Sequence, residues 1–150
     1  MRAVVQRVNH ARVEVDEVVT GSINQGFLVL LGIAENDTEA DLDWLVKKVI
    51  GLRVFSDEAG KMNKSLVDVH GAILLVSQFT LHASTKKGNR PSFIQAAKPE
   101  KALQFYEAFK HALEAQLQQE VATGIFGAHM KITLENDGPV TILFDTENKE

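Results

Sequence analysis

The chain contains no cysteine, which removes thiol catalysis, zinc–thiolate sites and redox sensing from consideration. It also has no excess of basic residues: the formal net charge is −4. A protein that grips duplex nucleic acid through many phosphate contacts usually carries a basic balance, so DNA is not an expected partner. A short contact with one end of a nucleic acid stays compatible with this charge, because few phosphates need neutralising. No run approaches the ~18 apolar residues of a membrane-spanning helix, and the N-terminal MRAVVQRVNHARVEV is broken by Arg2, Gln6, Arg7 and Arg12. It therefore does not read as a signal peptide. The expectation is a soluble, cytoplasmic protein without membrane partners.

Metal and nucleotide motifs are lacking too. The five histidines form no H-x-x-x-H or HExxH pattern, and Gly124 and Gly127 fit neither a G-x-G-x-x-G nor a P-loop spacing. No metal and no cofactor is expected. There is no repeat, linker or low-complexity tract, and 150 residues suit one domain over 1–150 with one core. At this length roughly 68–70% of the unfolded chain's surface is buried on folding, enough without disulfide or metal.

What is present is mostly strand pattern. Residues 2–8 and 12–19 alternate apolar with polar, Ala3, Val5, Val13 and Val15 against Arg2, Arg12, Glu14 and Asp16. Residues 27–33 (FLVLLGI) read as a strand buried on both faces. Leu42, Leu45, Val46, Val49 and Ile50 recur at helical spacing over 40–50, with Asp37 or Thr38 as N-cap and Gly51 at the end. Pro99 opens a second helical pattern through Leu117. Further strands are expected at 52–56, 66–69, 72–81, 130–136 and 140–146, the last two joined at Asp137-Gly138-Pro139 as a tight hairpin. Strands and two helices do not alternate regularly, so the expected class is α+β, a mainly antiparallel sheet or barrel with two principal helices packed on it.

Two stretches carry chemistry-bearing residues. VSQFTLHAS (76–84) ends the longest strand pattern. Three readings of it remain open: hydroxyls that satisfy turn hydrogen bonds, a Ser77 or Thr80 nucleophile paired with a histidine, or a strand end that offers backbone N–H groups to an oxyanion. No G-x-S-x-G surrounds Ser77, and no spacing nominates one base among the histidines. NDGPVT (136–141) is strong turn punctuation, yet its proline contributes nothing that a plain Asp-Gly turn needs. Lys86, Lys87 and Arg90 make a basic cluster on a loop, either solvated or a phosphate contact.

Ser77-Gln78-Phe79-Thr80-Leu81 together with Asn136-Asp137-Gly138-Pro139-Val140-Thr141 resembles the SQ-x-TL and GP-V-T signatures of the D-aminoacyl-tRNA deacylase family. Val5-Gln6-Arg7-Val8, the 28–33 strand, Phe55-Ser56-Asp57, Lys61-Met62-Asn63, Arg90-Pro91-Ser92-Phe93 and Thr123-Gly124-Ile125-Phe126 extend the likeness from about residue 1 to 144. The resemblance implies a homodimer, with sites at the subunit interface and a cis Gly138-Pro139 reaching into the neighbour's site, held by Arg7. It implies hydrolysis of the ester joining a D-amino acid, or mischarged glycine, to the tRNA 3′ acceptor end. Ser77, Gln78, Phe79 and Thr80 are then the expected catalytic stretch, with main-chain N–H groups around Phe79 and Thr80 as oxyanion donors and the Thr80 side chain as site architecture. Phe126 and Met130 are expected in the substrate pocket, and Lys86, Lys87 and Arg90 on the tRNA. The run Phe126-Gly127-Ala128-His129-Met130 departs from the family's phenylalanine, alanine, alanine, acidic, methionine pattern. So does Asn63-Lys64-Ser65-Leu66. Two rivals are a general acyl-ester hydrolase with a Ser77 or Thr80 nucleophile, and a non-catalytic module that binds tRNA acceptor ends.

Overall fold

The computed structural model describes residues 1–149. Its spine is β1 (Arg2–Val15), a single 14-residue strand. On one side β1 pairs antiparallel first with β3 (Gly26–Gly32) and then, from Ala11 on and with a bulge at Val13/Glu14, with β2 (Val18–Ile23). On the other side it pairs along its whole length with β8 (Lys131–Asp145). Beyond β3 lie β6 (Ala72–Ser77) and the short β7 (Ala122–Thr123), both added in parallel. The sheet is thus mixed, not purely antiparallel. It curls until Gly21 of β2 comes so close to β7 that a side chain there would sit 2.5 Å from the Thr123 carbonyl oxygen, which makes the sheet nearly a barrel. β4 (Phe55–Ser56) and β5 (Met62–Lys64) form a separate small pair.

Helices α1 (Glu39–Gly51) and α2 (Pro99–Leu117) cover the outer face. Leu42, Leu45, Val46 and Val49 of α1 and Phe109 and Leu113 of α2 pack on Ala3, Val5, Phe27, Val29 and Leu75. Inside the curl, Val8, Ala11, Val13, Leu28, Leu74 and Val76 form a second core. The bulge between Val8 and His10 lets Ala11 and Val13 share a face with Val8, although they fall out of step with a period of two. Thr38 caps α1: the Asp41 carboxylate accepts from its N–H at 3.0 Å and its hydroxyl at 2.7 Å. Asp37 has other work. It is buried, accepts the Ala34 N–H at 2.6 Å, and pairs with the Met1 ammonium, which also donates to the Thr146 hydroxyl. None of the described helices is long and apolar enough to cross a membrane.

Three expected elements differ. Residues 66–69 form a turn, because Asp68 accepts from both the N–H and the hydroxyl of Ser65 at 2.8 Å. The strand at 72–81 stops at Ser77, and Phe79–His82 make one turn of 3₁₀ helix. The hairpin at 136–141 does not form. Since β1 templates both halves, 131–145 is one strand, with residues 137–140 looped out opposite Arg7 between the pairs Val8–Asn136 and Gln6–Thr141.

Candidate active site

The Ser77–Leu81 stretch leaves the sheet at its rim. The Gln78 N–H donates to the Leu31 carbonyl at 2.7 Å, which extends the β3–β6 ladder by one bond. The backbone then closes into the 3₁₀ turn, with the Leu81 N–H donating to the Gln78 carbonyl at 3.2 Å and the Ala83 N–H to the Thr80 carbonyl at 3.0 Å. The first N–H groups of a helical turn have no partner within it. Among the described residues, the Phe79 and Thr80 N–H groups donate to no carbonyl or side chain. The turn also changes which side chains meet. Strand alternation over 72–81 would put Ser77, Phe79 and Leu81 on one side and Gln78 and Thr80 on the other. Instead Gln78 donates its side-chain amide directly to the Thr80 hydroxyl across the turn.

Phe79 is 57% exposed and meets the half-buried Phe93 edge-on, with ring centroids 5.0 Å apart. Sequence reasoning did not give Phe93 a part in the site, although it lies within the matched Arg90-Pro91-Ser92-Phe93 run. The nearby basic loop is closed by reciprocal Ser84–Ser92 hydrogen bonds of 2.8 and 2.9 Å, and Lys86, Lys87 and Arg90 all stand exposed on it. No histidine is hydrogen-bonded to Ser77 or Thr80 among the described residues. His82, only two residues from Thr80, is buried, and its Nε2 has no hydrogen-bond partner there. Burial lowers its pKa, and the Arg2 guanidinium and Met1 ammonium lower it further. These outweigh the Gly32 carbonyl and Asp37, which favour the proton.

The second signature is built around Arg7. This buried guanidinium donates from Nε to the Asp137 carbonyl at 3.0 Å and lies 3.2 Å from the Asp137 carboxylate, while its other end donates to the Val54 carbonyl. Asn136 closes the loop, accepting the Val140 N–H at 2.8 Å and donating to the Thr141 hydroxyl at 3.2 Å. Between these ties Gly138 and Pro139 stand exposed, joined by a cis peptide bond. Gly138 sits at φ +139°, and a side chain there would meet Val140 Cγ2 at 2.7 Å, so only glycine fits without rearrangement.

Within one chain the two signatures stay apart. The Gln78 turn hangs from Leu31, which faces Ala3 across β1, while Gly138 and Pro139 face Arg7. Four residues of β1 separate these levels, about 13 Å at ~3.3 Å per residue, with β3 also between them. Phe126 is half-buried and packs on the outer core, its ring 5.7 Å from that of Tyr106, whose hydroxyl donates to the Leu75 carbonyl two residues before Ser77. Met130 packs on the inner core, so close to Gly124 that a side chain there would sit 2.3 Å from its sulfur.

The model of the D-Tyr-tRNA(Tyr) deacylase family matches residues 4–145. The D-aminoacyl-tRNA deacylase of Cytophaga hutchinsonii is 59% identical over 150 residues, all of both chains. That of Flavobacterium johnsoniae is 55% identical over the same span. A solved structure described as a c-Myc DNA unwinding element binding protein superposes with a TM-score of 0.92 at 44% identity, covering 97% of this chain and 98% of its own. A probable eukaryotic D-amino acid tRNA deacylase superposes at 0.82 with 18% identity, a likeness of fold. The match spans both signatures and the strands that carry them, and the chain belongs to the D-Tyr-tRNA(Tyr) deacylase family.

Proposed function

We propose that this deacylase hydrolyses the ester between a D-amino acid and the 3′-terminal adenosine of tRNA with main-chain groups, as a chiral proofreader in translation quality control. The observation that carries the main-chain reading is the pair of N–H groups at Phe79 and Thr80 that have no partner among the described residues, beside a Thr80 hydroxyl bonded there to Gln78 and to no base. An aminoacyl ester is already activated. Placement of water and stabilisation of the tetrahedral oxyanion account for most of the barrier reduction needed, and two preset N–H donors are suited to the second task. The substrate's own terminal 2′-OH is placed to assist. Ser77 and Gln78 fix the geometry of the turn.

Chirality is selected by exclusion. The exposed Gly138-Pro139 backbone, braced by Arg7, reaches into the site of a second copy in a homodimer and fills the space where an L side chain would project. The separation of the two signatures within one chain supports this arrangement, since a second copy is what would bring them together. Glycine has no side chain to reject, so glycyl-tRNA is hydrolysed as well. Phe126 stacks on the terminal adenine and Met130 backs the pocket, while Lys86, Lys87 and Arg90 touch acceptor-end phosphates. A net charge of −4 suits an enzyme that holds one end of tRNA and must release it, and gives no support to DNA as a partner.

The test is parallel time courses of D-tyrosyl-tRNA and L-tyrosyl-tRNA with purified protein, with and without chelator. Loss of the D ester alone, unaffected by chelator, is the expected result. Loss of both esters would reveal a general esterase, and loss of neither would leave only a tRNA-binding module.

A further inference from the structure

Of the side chains that reach the 3₁₀ turn from another element, Arg2 makes the best-formed contact with its backbone. Arg2 opens β1 opposite Asp145 of β8. Its Nη1 donates to the Leu81 carbonyl at 2.9 Å, and its Nε donates to Asp145 Oδ2 at 3.0 Å. Asp145 is held in turn: its other oxygen accepts the Glu147 N–H at 3.0 Å, and Asn148 approaches Oδ2 at 3.4 Å. The guanidinium is therefore tied at one end to a carboxylate that has partners of its own, and it presents the other end to a single carbonyl.

That carbonyl belongs to the turn whose first two N–H groups have no partner among the described residues. Upstream, the turn is tied by the Gln78 N–H to Leu31. Downstream, the buried His82 ring lies against Gly32, where a side chain would come within 3.1 Å of it. His82 Nε2 has no hydrogen-bond partner among the described residues, and the ring packs against Gly32. Arg2 supplies the missing directional tie. Main-chain donors cannot be re-aimed by a rotamer change, and their direction follows from where the backbone is held. A misplacement of about 1 Å in such a group can cost on the order of 100-fold in rate.

We propose that Arg2 is a positioning residue of the deacylase: braced by Asp145, it holds the Leu81 carbonyl and thereby aims the Phe79 and Thr80 N–H groups at the substrate. The inference rests on the main-chain reading above. Arg2 touches neither substrate nor reacting atoms; it acts through the backbone.

The experiment compares Arg2→Met, which keeps the aliphatic stem, Arg2→Lys, which reaches Leu81 or Asp145 but not both, and Asp145→Asn. Kinetics are read on D-tyrosyl-tRNA, and the Phe79 and Thr80 amide resonances are read by nuclear magnetic resonance on the same proteins. Arg2→Met is expected to lower kcat by roughly tenfold to 100-fold while KM stays within about threefold, and to shift both amides. Arg2→Lys should fall between, and the Arg2→Met/Asp145→Asn double variant should be no worse than Arg2→Met alone, because the two residues act as one unit. If Arg2→Met does not fold, Arg2→Lys carries the same comparison. Unchanged kcat in a folded variant, additive losses, or unmoved Phe79 and Thr80 amides would each overturn the proposal. The amide shifts do not depend on turnover. A wild-type protein inactive on the D ester whose amides still move with Arg2 would defeat the main-chain reading and leave Arg2 as the anchor of the turn.

Discussion

Arg7 and Asp137 meet twice, through the Asp137 carbonyl at 3.0 Å and its carboxylate at 3.2 Å from the same Nε. One guanidinium thus ties the looped-out segment of β8 to the Val54 carbonyl. Arg7→Lys keeps the charge but cannot serve both partners, since an ammonium lacks the planar fork. The variant is expected to lose about 1.5–3 kcal/mol of stability, the range for hydrogen bonds to charged groups. Its ratio of D-tyrosyl-tRNA to L-tyrosyl-tRNA hydrolysis should fall with it. Urea denaturation and the paired time courses measure the two effects; a ratio equal to wild type would show that the brace does not reach selectivity.

Remodelling Gly138-Pro139 to Ala-Ala places a side chain where Val140 already stands at 2.7 Å, at a φ that L residues rarely adopt. The segment must move. A loss of at least about tenfold in D-ester hydrolysis or in discrimination is expected, with modest change in the urea midpoint because both residues are exposed.

Thr80→Ala removes the hydroxyl that Gln78 holds and leaves both N–H groups in place. Activity within about tenfold of wild type is expected, far above the loss that follows removal of a true nucleophile. A folded but inactive Thr80→Ala would replace the main-chain mechanism with nucleophilic catalysis.

Asp37→Ala strips the partner from the buried Met1 ammonium and from the Ala34 N–H. An uncompensated buried charge costs about 3–5 kcal/mol, so this variant should be among the least stable in urea. A loss below about 1 kcal/mol would mean that the ammonium finds water.

Asp41 gives a pH dependence of definite sign. Burial alone would raise its pKa, but hydrogen bonds from Lys149 and Thr38 outweigh it and bring the carboxyl down to about 2. A depressed carboxyl stabilises the fold fully above its unfolded value of 3.8, and that contribution disappears as pH falls through about 2. Asp41→Asn should flatten the urea midpoint between pH 4 and pH 2 relative to wild type; parallel profiles would refute the assignment.

Much of the fold was legible where the cause is local. The alternation of Ala3, Val5 and Val13, the continuous apolar run of β3, Thr38 ahead of α1 and Pro99 at the start of α2 all act over a few residues. What escaped the sequence was set from a distance. Past Ser77 the chain turns out of the sheet, where the Leu81 N–H closes on the Gln78 carbonyl and Arg2, remote in the chain, captures the Leu81 carbonyl. The strong turn residues at 136–141 make a bulge instead of a hairpin because β1 is long enough to pair both flanks. Apolar periodicity also cannot distinguish a parallel neighbour from an antiparallel one, which is why β6 and β7 altered the sheet without altering its core.

The zipper between β1 and β8 joins the first strand of the chain to the last. During synthesis β1 is made long before its longest partner exists, and a pairing of such high sequence separation forms slowly. Until β8 arrives, one whole edge of a 14-residue strand offers unpaired N–H and C=O groups to any neighbouring chain. The segment that carries Gly138-Pro139 is thus also part of the strand that covers this edge of β1. A nascent chain without β8 is expected to lack the Gly138-Pro139 segment and to leave the β1 edge open to other chains.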